Sequence, residues 1–211
     1  MSLRKRVPVC AVSPPAMRAC VTADRPDNRS LTPVNCYANL ILIGFKGCGK
    51  SYVGDALAYR LGWPFLDLDN LIEGFYAERQ GEVLGYREIY KRHGAVFFRQ
   101  LEEESLKKAL IKGRQVIALG GGTIFASPAI AALLQDQVVI YLTVEPTLLF
   151  QRIMSQGTPA FFDPNDPEGS FWSLYQERPP HYQKLAHYTF DNTTKKVEEL
   201  VEEIIITLGL E

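Results

Sequence analysis

Eight residues, Gly44-Phe45-Lys46-Gly47-Cys48-Gly49-Lys50-Ser51, follow the apolar run Leu40-Ile41-Leu42-Ile43 and precede a stretch of helical periodicity. The spacing is G-x-x-x-x-G-K-S, and a strand before it with a helix after it is the setting of a phosphate-binding P-loop. Gly44 and Gly49 let the backbone turn successive N–H groups towards phosphate, and the start of the helix adds its positive end. Lys50 is expected to reach the β- and γ-phosphates of a nucleoside triphosphate, and Ser51 to ligate Mg²⁺.

Two carboxylates stand two positions apart in Phe65-Leu66-Asp67-Leu68-Asp69. At the end of a strand both project to one side of the sheet's carboxyl edge. Asp67 is expected to hold Mg²⁺ through water. Asp69 is expected to accept a hydrogen bond from an attacking hydroxyl and to take its proton; capping the helix that follows is a simpler role compatible with that one. A third strand, Gln115 to Leu119, ends in Gly120-Gly121-Gly122, with no acid there for a metal. Three adjacent glycines let a ligand approach the main chain, whose N–H groups bind carboxylate or phosphate; a plain flexible turn is the alternative. The chain has no Asn-Lys-x-Asp motif for reading guanine.

These groups need a scaffold that gathers strand ends. From Asn39 onward strand-like runs alternate with helical ones, which predicts a parallel sheet covered on both faces. The expected strands are Leu40 to Ile43, Phe65 to Asp67, Gln115 to Leu119, Val138 to Leu142 and Tyr188 to Phe190. Helices are expected to begin near Lys50, Asp69, Ala95, Ser127, Glu145, Phe171 and Lys195. The prediction is a three-layer α/β/α domain over residues 39–211 with its ligands at the carboxyl ends of five parallel strands. Residues 156–170, rich in Gly, Pro, Asp and Asn, break the pattern and read as a long mobile lid loop.

The 211 residues carry a formal net charge of -1, with 46% hydrophobic and 22% charged side chains. That length suits one α/β core with an appendage. The charge offers no basic field for nucleic acid, and no apolar run approaches the roughly 20 residues of a bilayer span. Small-molecule partners and a soluble, cytoplasmic monomer are the expectation. The cysteines Cys10, Cys20, Cys36 and Cys48 fit neither a zinc site nor a compact disulfide framework, in keeping with a reducing compartment. Residues 1–38, with Pro8, Pro14, Pro15, Pro26, Pro33 and six basic residues, read as an extension outside the core. Pro8 and the Pro14-Pro15 pair interrupt the apolar stretch that a secretory signal needs.

Two arginines complete the pattern: Arg99 in Phe98-Arg99-Gln100-Leu101-Glu102, where Glu102 at i+3 can fix the guanidinium, and Arg178 shortly before Tyr182. Taken singly, each reads as an ordinary surface arginine. The ordered set of P-loop, Phe65-x-Asp67-x-Asp69, Phe98-Arg99-x-x-Glu102, glycine triplet and Arg178 resembles the shikimate kinase family of small P-loop kinases from about Ala38 to Leu208. The resemblance implies transfer of the ATP γ-phosphoryl group to the 3-hydroxyl of shikimate. It implies a nucleotide site at Gly44, Gly47, Cys48, Gly49, Lys50, Ser51 and Tyr52, with Arg152 near the adenine. It also implies that Asp69 holds the acceptor's hydroxyls, that Arg99, Arg178 and Gly120 to Gly122 hold its carboxylate, and that Tyr90 and Phe98 line its pocket.

One position departs from that family. Its members usually carry an Arg-Pro pair in the lid, and here the pair is Thr158-Pro159. An arginine over a transferring phosphoryl group contributes roughly 10³ to 10⁵ in rate, so another cation must substitute or the activity is altered. Lys46, inside the phosphate loop, and Arg152, at the start of the lid, are the cations nearest to hand. A kinase for another small hydroxy acid such as gluconate, and an impaired homologue that binds nucleotide or shikimate, are the alternative readings.

Overall fold

The structure, a computed structural model, describes residues 38–210. The expected extension over 1–38 therefore lies, apart from Ala38, outside the described residues.

The run Leu40–Ile43 forms β1, and its four side chains are at most 1% exposed. Successive strand residues point to opposite faces, so burial of all four means that both faces of the sheet are covered, as a parallel sheet requires. Around β1 stand β2 (Phe65–Asp67), β3 (Val116–Ala118), β4 (Val138–Thr143) and β5 (Tyr188–Asp191), all parallel, in the order β2-β3-β1-β4-β5. Leu40 pairs with Val116 on one side and with Val138 on the other. The chain thus moves to one side of β1 and later to the other, which places the loop after β1 at the topological switch point where ligands bind.

Helix α1 (Lys50–Leu61) springs directly from that loop and ends at Gly62, whose N–H meets the carbonyls of Ala58 and Tyr59 in a left-handed cap. Helix α2 is Leu68–Gln80 and α3 is Tyr86–Leu110, the latter broken at Gly94 (φ 77°, ψ 176°). The predicted start near Ala95 marks this break; the turns before it, Tyr86 to His93, are also helical. A 3₁₀ turn at Thr123–Phe125 leads to α4 (Pro128–Leu133), followed by α5 (Pro146–Ser155).

Helix α6 (Pro167–Glu177) begins earlier than expected, so the loop is confined to residues 156–166. Asp166 caps α6 through Gly169 N at 2.9 Å, and the buried Phe162 anchors the loop against Phe171. Helix α7 (Pro179–Leu185), absent from the sequence reading, starts with two prolines whose missing N–H groups cost nothing in a first turn. The last helix, α8 (Val197–Leu208), packs beside α1. No helix among the described residues is long and apolar enough to cross a membrane.

Candidate active site

The carboxyl ends of β1, β2, β3 and β5 meet at one edge of the sheet. After β1 the loop closes over its own lysine: Lys50 Nζ donates to the carbonyls of Gly44 and Phe45, both at 2.9 Å. The loop is held from behind by Asn192, which follows β5 and donates from Nδ2 to the Cys48 carbonyl at 2.9 Å. Gly49 has φ 96°, and a Cβ there would lie 2.5 Å from Asn192 Nδ2, so glycine is required both by conformation and by space. Cys48 is buried, with Sγ 3.8 Å from Lys50 Nζ.

At the end of β2 the roles of the two aspartates separate. Asp67, not Asp69, caps α2: its Oδ1 accepts from Asp69 N at 3.0 Å, because the helix begins at Leu68. Its other oxygen, Oδ2, accepts from Ser51 Oγ at 2.7 Å. A hydroxyl and a carboxylate in contact beside a phosphate loop are hard oxygen donors of the kind Mg²⁺ takes alongside phosphates and water, so these residues fit that ion. Asp69 is left with its carboxylate uncommitted and half-buried. Burial, then the charges of Asp67 and Glu102, push its pKa from 3.8 up to about 6, against the pull of Lys50.

The glycine triplet after β3 joins these parts. A Cβ at Gly120 would lie 3.1 Å from Asp69 Oδ1, one at Gly121 would lie 3.1 Å from Lys46 N, and one at Gly122 would lie 4.0 Å from Arg99 Nη2. Asp69 and the phosphate loop therefore crowd Gly120 and Gly121, whereas Gly122 has room for a Cβ and only borders Arg99. Buried Glu102 fixes the arrangement: Oε2 accepts from Arg99 Nη1 at 2.6 Å and Oε1 from Thr123 Oγ1 at 2.5 Å. Phe98 lies under the Arg99 guanidinium at 5.8 Å and meets Tyr90 edge-on at 5.6 Å, which gives the site an apolar side.

Arg178, at the junction of α6 and α7, is surrounded by the rings of Phe45, Phe125 and Phe161, at 5.5, 5.4 and 5.7 Å. One turn on, Tyr182 donates its hydroxyl to the Gly121 carbonyl. Arg178 is thus carried to the triplet from the other side of the sheet edge. Two expected nucleotide residues stand apart from this group. Arg152 donates to the carbonyls of Asn192 and Thr193 at 3.3 and 3.2 Å, behind the loop, and the Tyr52 side chain is 80% exposed on α1. Asn192 and Thr123 were not singled out by sequence reasoning; both act through partners distant in the chain.

The chain is similar in sequence and fold to known proteins. A family model described as shikimate kinase matches residues 46–209. A curated shikimate kinase from Caldanaerobacter subterraneus subsp. tengcongensis is 34% identical over 167 residues, covering 79% of this chain and 94% of that one. Among solved structures, a shikimate kinase from Acinetobacter baumannii in complex with shikimate superposes with a TM-score of 0.71 at 30% identity, covering 82% of this chain and 93% of that one. One from Aquifex aeolicus gives a TM-score of 0.67 at 29% identity, over 81% and 96%. The sheet order, the phosphate loop and the glycine triplet between Asp69 and Arg99 thus come with a family match over residues 46–209, and the chain belongs to the shikimate kinase family, a family of small-molecule kinases.

Proposed function

We propose that this chain transfers the γ-phosphoryl group of ATP to the 3-hydroxyl of shikimate. The observation that carries the reading is the glycine triplet, which brings a free carboxylate, a phosphate loop and a pinned arginine to one surface. An acceptor with hydroxyls at one end and a carboxylate at the other fits between them: hydroxyls at Asp69, carboxylate at Arg99 and Arg178, whose planar forks suit it. The relative from Acinetobacter baumannii, solved in complex with shikimate, supports that choice of acceptor.

In the reaction the acceptor oxygen attacks the γ-phosphorus in line while the bond to the β,γ-bridging oxygen breaks, and ADP leaves with that electron pair. Asp69 accepts the hydroxyl hydrogen bond and receives the proton as the new ester bond forms. Lys50 and the loop N–H groups hold the β- and γ-phosphates, and Ser51 with Asp67 would hold Mg²⁺. Bound there, the ion neutralises charge on the phosphate oxygens. The remaining residues orient: Glu102 aims Arg99, and Tyr90 with Phe98 exclude water from one side of the acceptor.

Coupled ADP release from ATP and Mg²⁺ tests the reading, with shikimate, gluconate or no acceptor and with Lys50→Ala as control. Shikimate-dependent turnover absent from the control is expected. Turnover with gluconate alone, or ATP binding without turnover on either acceptor, would overturn it.

A further inference from the structure

Phosphoryl transfer is catalysed mostly by placing positive charge around the group in flight. The loop 156–166 contributes none, since its sequence holds neither lysine nor arginine. The cations around the site differ in how far they are committed. Arg99 is bound to buried Glu102, Arg178 is enclosed by three rings, and Arg152 is tied to two carbonyls behind the loop. Lys46 is committed to no partner: among the described residues it forms neither an ion pair nor a side-chain hydrogen bond, although it is half-buried.

Its position is specific. Lys46 lies two residues after Gly44 within the phosphate loop, and its backbone N faces Gly121 so closely that a Cβ there would stand 3.1 Å away. It is therefore at the seam between the loop that grips the nucleotide and the triplet that borders Asp69. Its ammonium feels the charges of Arg87, Asp69 and Lys50, which face it from α3, α2 and α1. Burial, Arg87 and Lys50 lower its pKa, while Asp69 opposes them. A poorly solvated ammonium near Lys50 and Asp69 gains most when negative charge arrives between those two residues.

We propose that Lys46 is a catalytic residue whose ammonium contacts the γ-phosphoryl oxygens as the group passes from ATP to the acceptor hydroxyl. This inference rests on the phosphoryl-transfer reading above. It differs from the role of Lys50, which grips the phosphates in the ground state as well.

The test compares wild type, Lys46→Met and Lys46→Arg in steady-state kinetics, with ATP affinity measured separately by titration. Lys46→Met is expected to lower kcat about 10²-fold or more while ATP affinity changes less than about threefold, and Lys46→Arg to recover at least about tenfold of that loss. A Lys46→Met kcat within about threefold of wild type, or a loss matched in ATP affinity, would overturn the assignment. A readout without turnover separates this from failure of the kinase reading. Aluminium fluoride added to Mg·ADP with shikimate mimics the transferring group, and its extra rise in Tm over Mg·ADP with shikimate should occur in wild type and vanish in Lys46→Met. An equal rise in both proteins, or none in wild type, would count against Lys46; silent wild-type turnover with either acceptor would count against the kinase reading itself.

Discussion

Tyr182 donates its phenolic hydroxyl to the carbonyl of Gly121 at 2.5 Å, across 61 positions of chain. The same ring stacks on Tyr141 of β4 at 5.2 Å and is 1% exposed. Arg178 lies one helical turn before it, so this bond sets the distance between the second arginine and the glycine triplet. Tyr182→Phe keeps the ring and leaves a carbonyl without its partner, at about 1–2 kcal/mol in stability. A lower Tm and a raised KM for shikimate are expected, with KM for ATP nearly unchanged. Equal rises in both KM values would show that the contact serves the fold rather than the acceptor site.

The ionised carboxylate of Asp69 works against stability. Its folded pKa, about 6, is above the ordinary 3.8, so the folded state binds this proton more tightly than the unfolded chain does. The penalty is absent below about pH 4 and grows as pH rises through 6, reaching about 2 to 3 kcal/mol at neutral pH. Asp69→Asn should therefore raise Tm at pH 7.5 and lose that advantage near pH 4. The same variant should lower kcat far more than it weakens ATP binding, whereas Lys50→Ala should damage both. In wild type, kcat/KM for the acceptor should fall as pH drops through about 6. Stability of Asp69→Asn equal to wild type at pH 7.5 would contradict the burial argument.

How much of this was legible in the sequence follows from how local each feature is. Gly44 to Ser51, Leu40 to Ile43 and Phe65 to Asp67 are contiguous, and their types and periods carry the phosphate loop and the inner strands directly. The choice between Asp67 and Asp69 as helix cap depended on a helix start displaced by one residue, to Leu68, which propensity does not resolve. Helix α7 was hidden because Pro179-Pro180 reads as a breaker unless it falls in a first turn. Thr123 and Asn192 carried no signal of their own. Their value lies in meeting Glu102 and Cys48, contacts that exist only after the sheet has formed.

Asn192 closes the phosphate loop from 144 positions away. It is buried, and its own carbonyl receives Arg152. Asn192→Ala removes the donor to Cys48 and opens space beside Gly49. The expected result is a weaker affinity for ATP, by about tenfold, and a stability loss of about 1–3 kcal/mol for the unpaired carbonyl. Shikimate binding in the absence of nucleotide should hardly change. Titration of each ligand alone checks this, and an equal loss for both would indicate general unfolding of the strand edge.

Thr158 stands where the resemblance to the family implies a lid arginine, and it is exposed on the loop before the anchor Phe162. If Lys46 already supplies the missing positive charge, a second cation entering from the loop adds to a site that is nearly neutralised. Thr158→Arg should then change kcat less than about threefold in the wild-type background, yet raise it at least about tenfold in Lys46→Met. The two substitutions must be compared in a double-mutant cycle, because non-additivity is the signature of two cations acting on one group. Additive effects would mean that Thr158 and Lys46 act at separate steps. A large gain from Thr158→Arg alone would mean that the site works with a charge deficit.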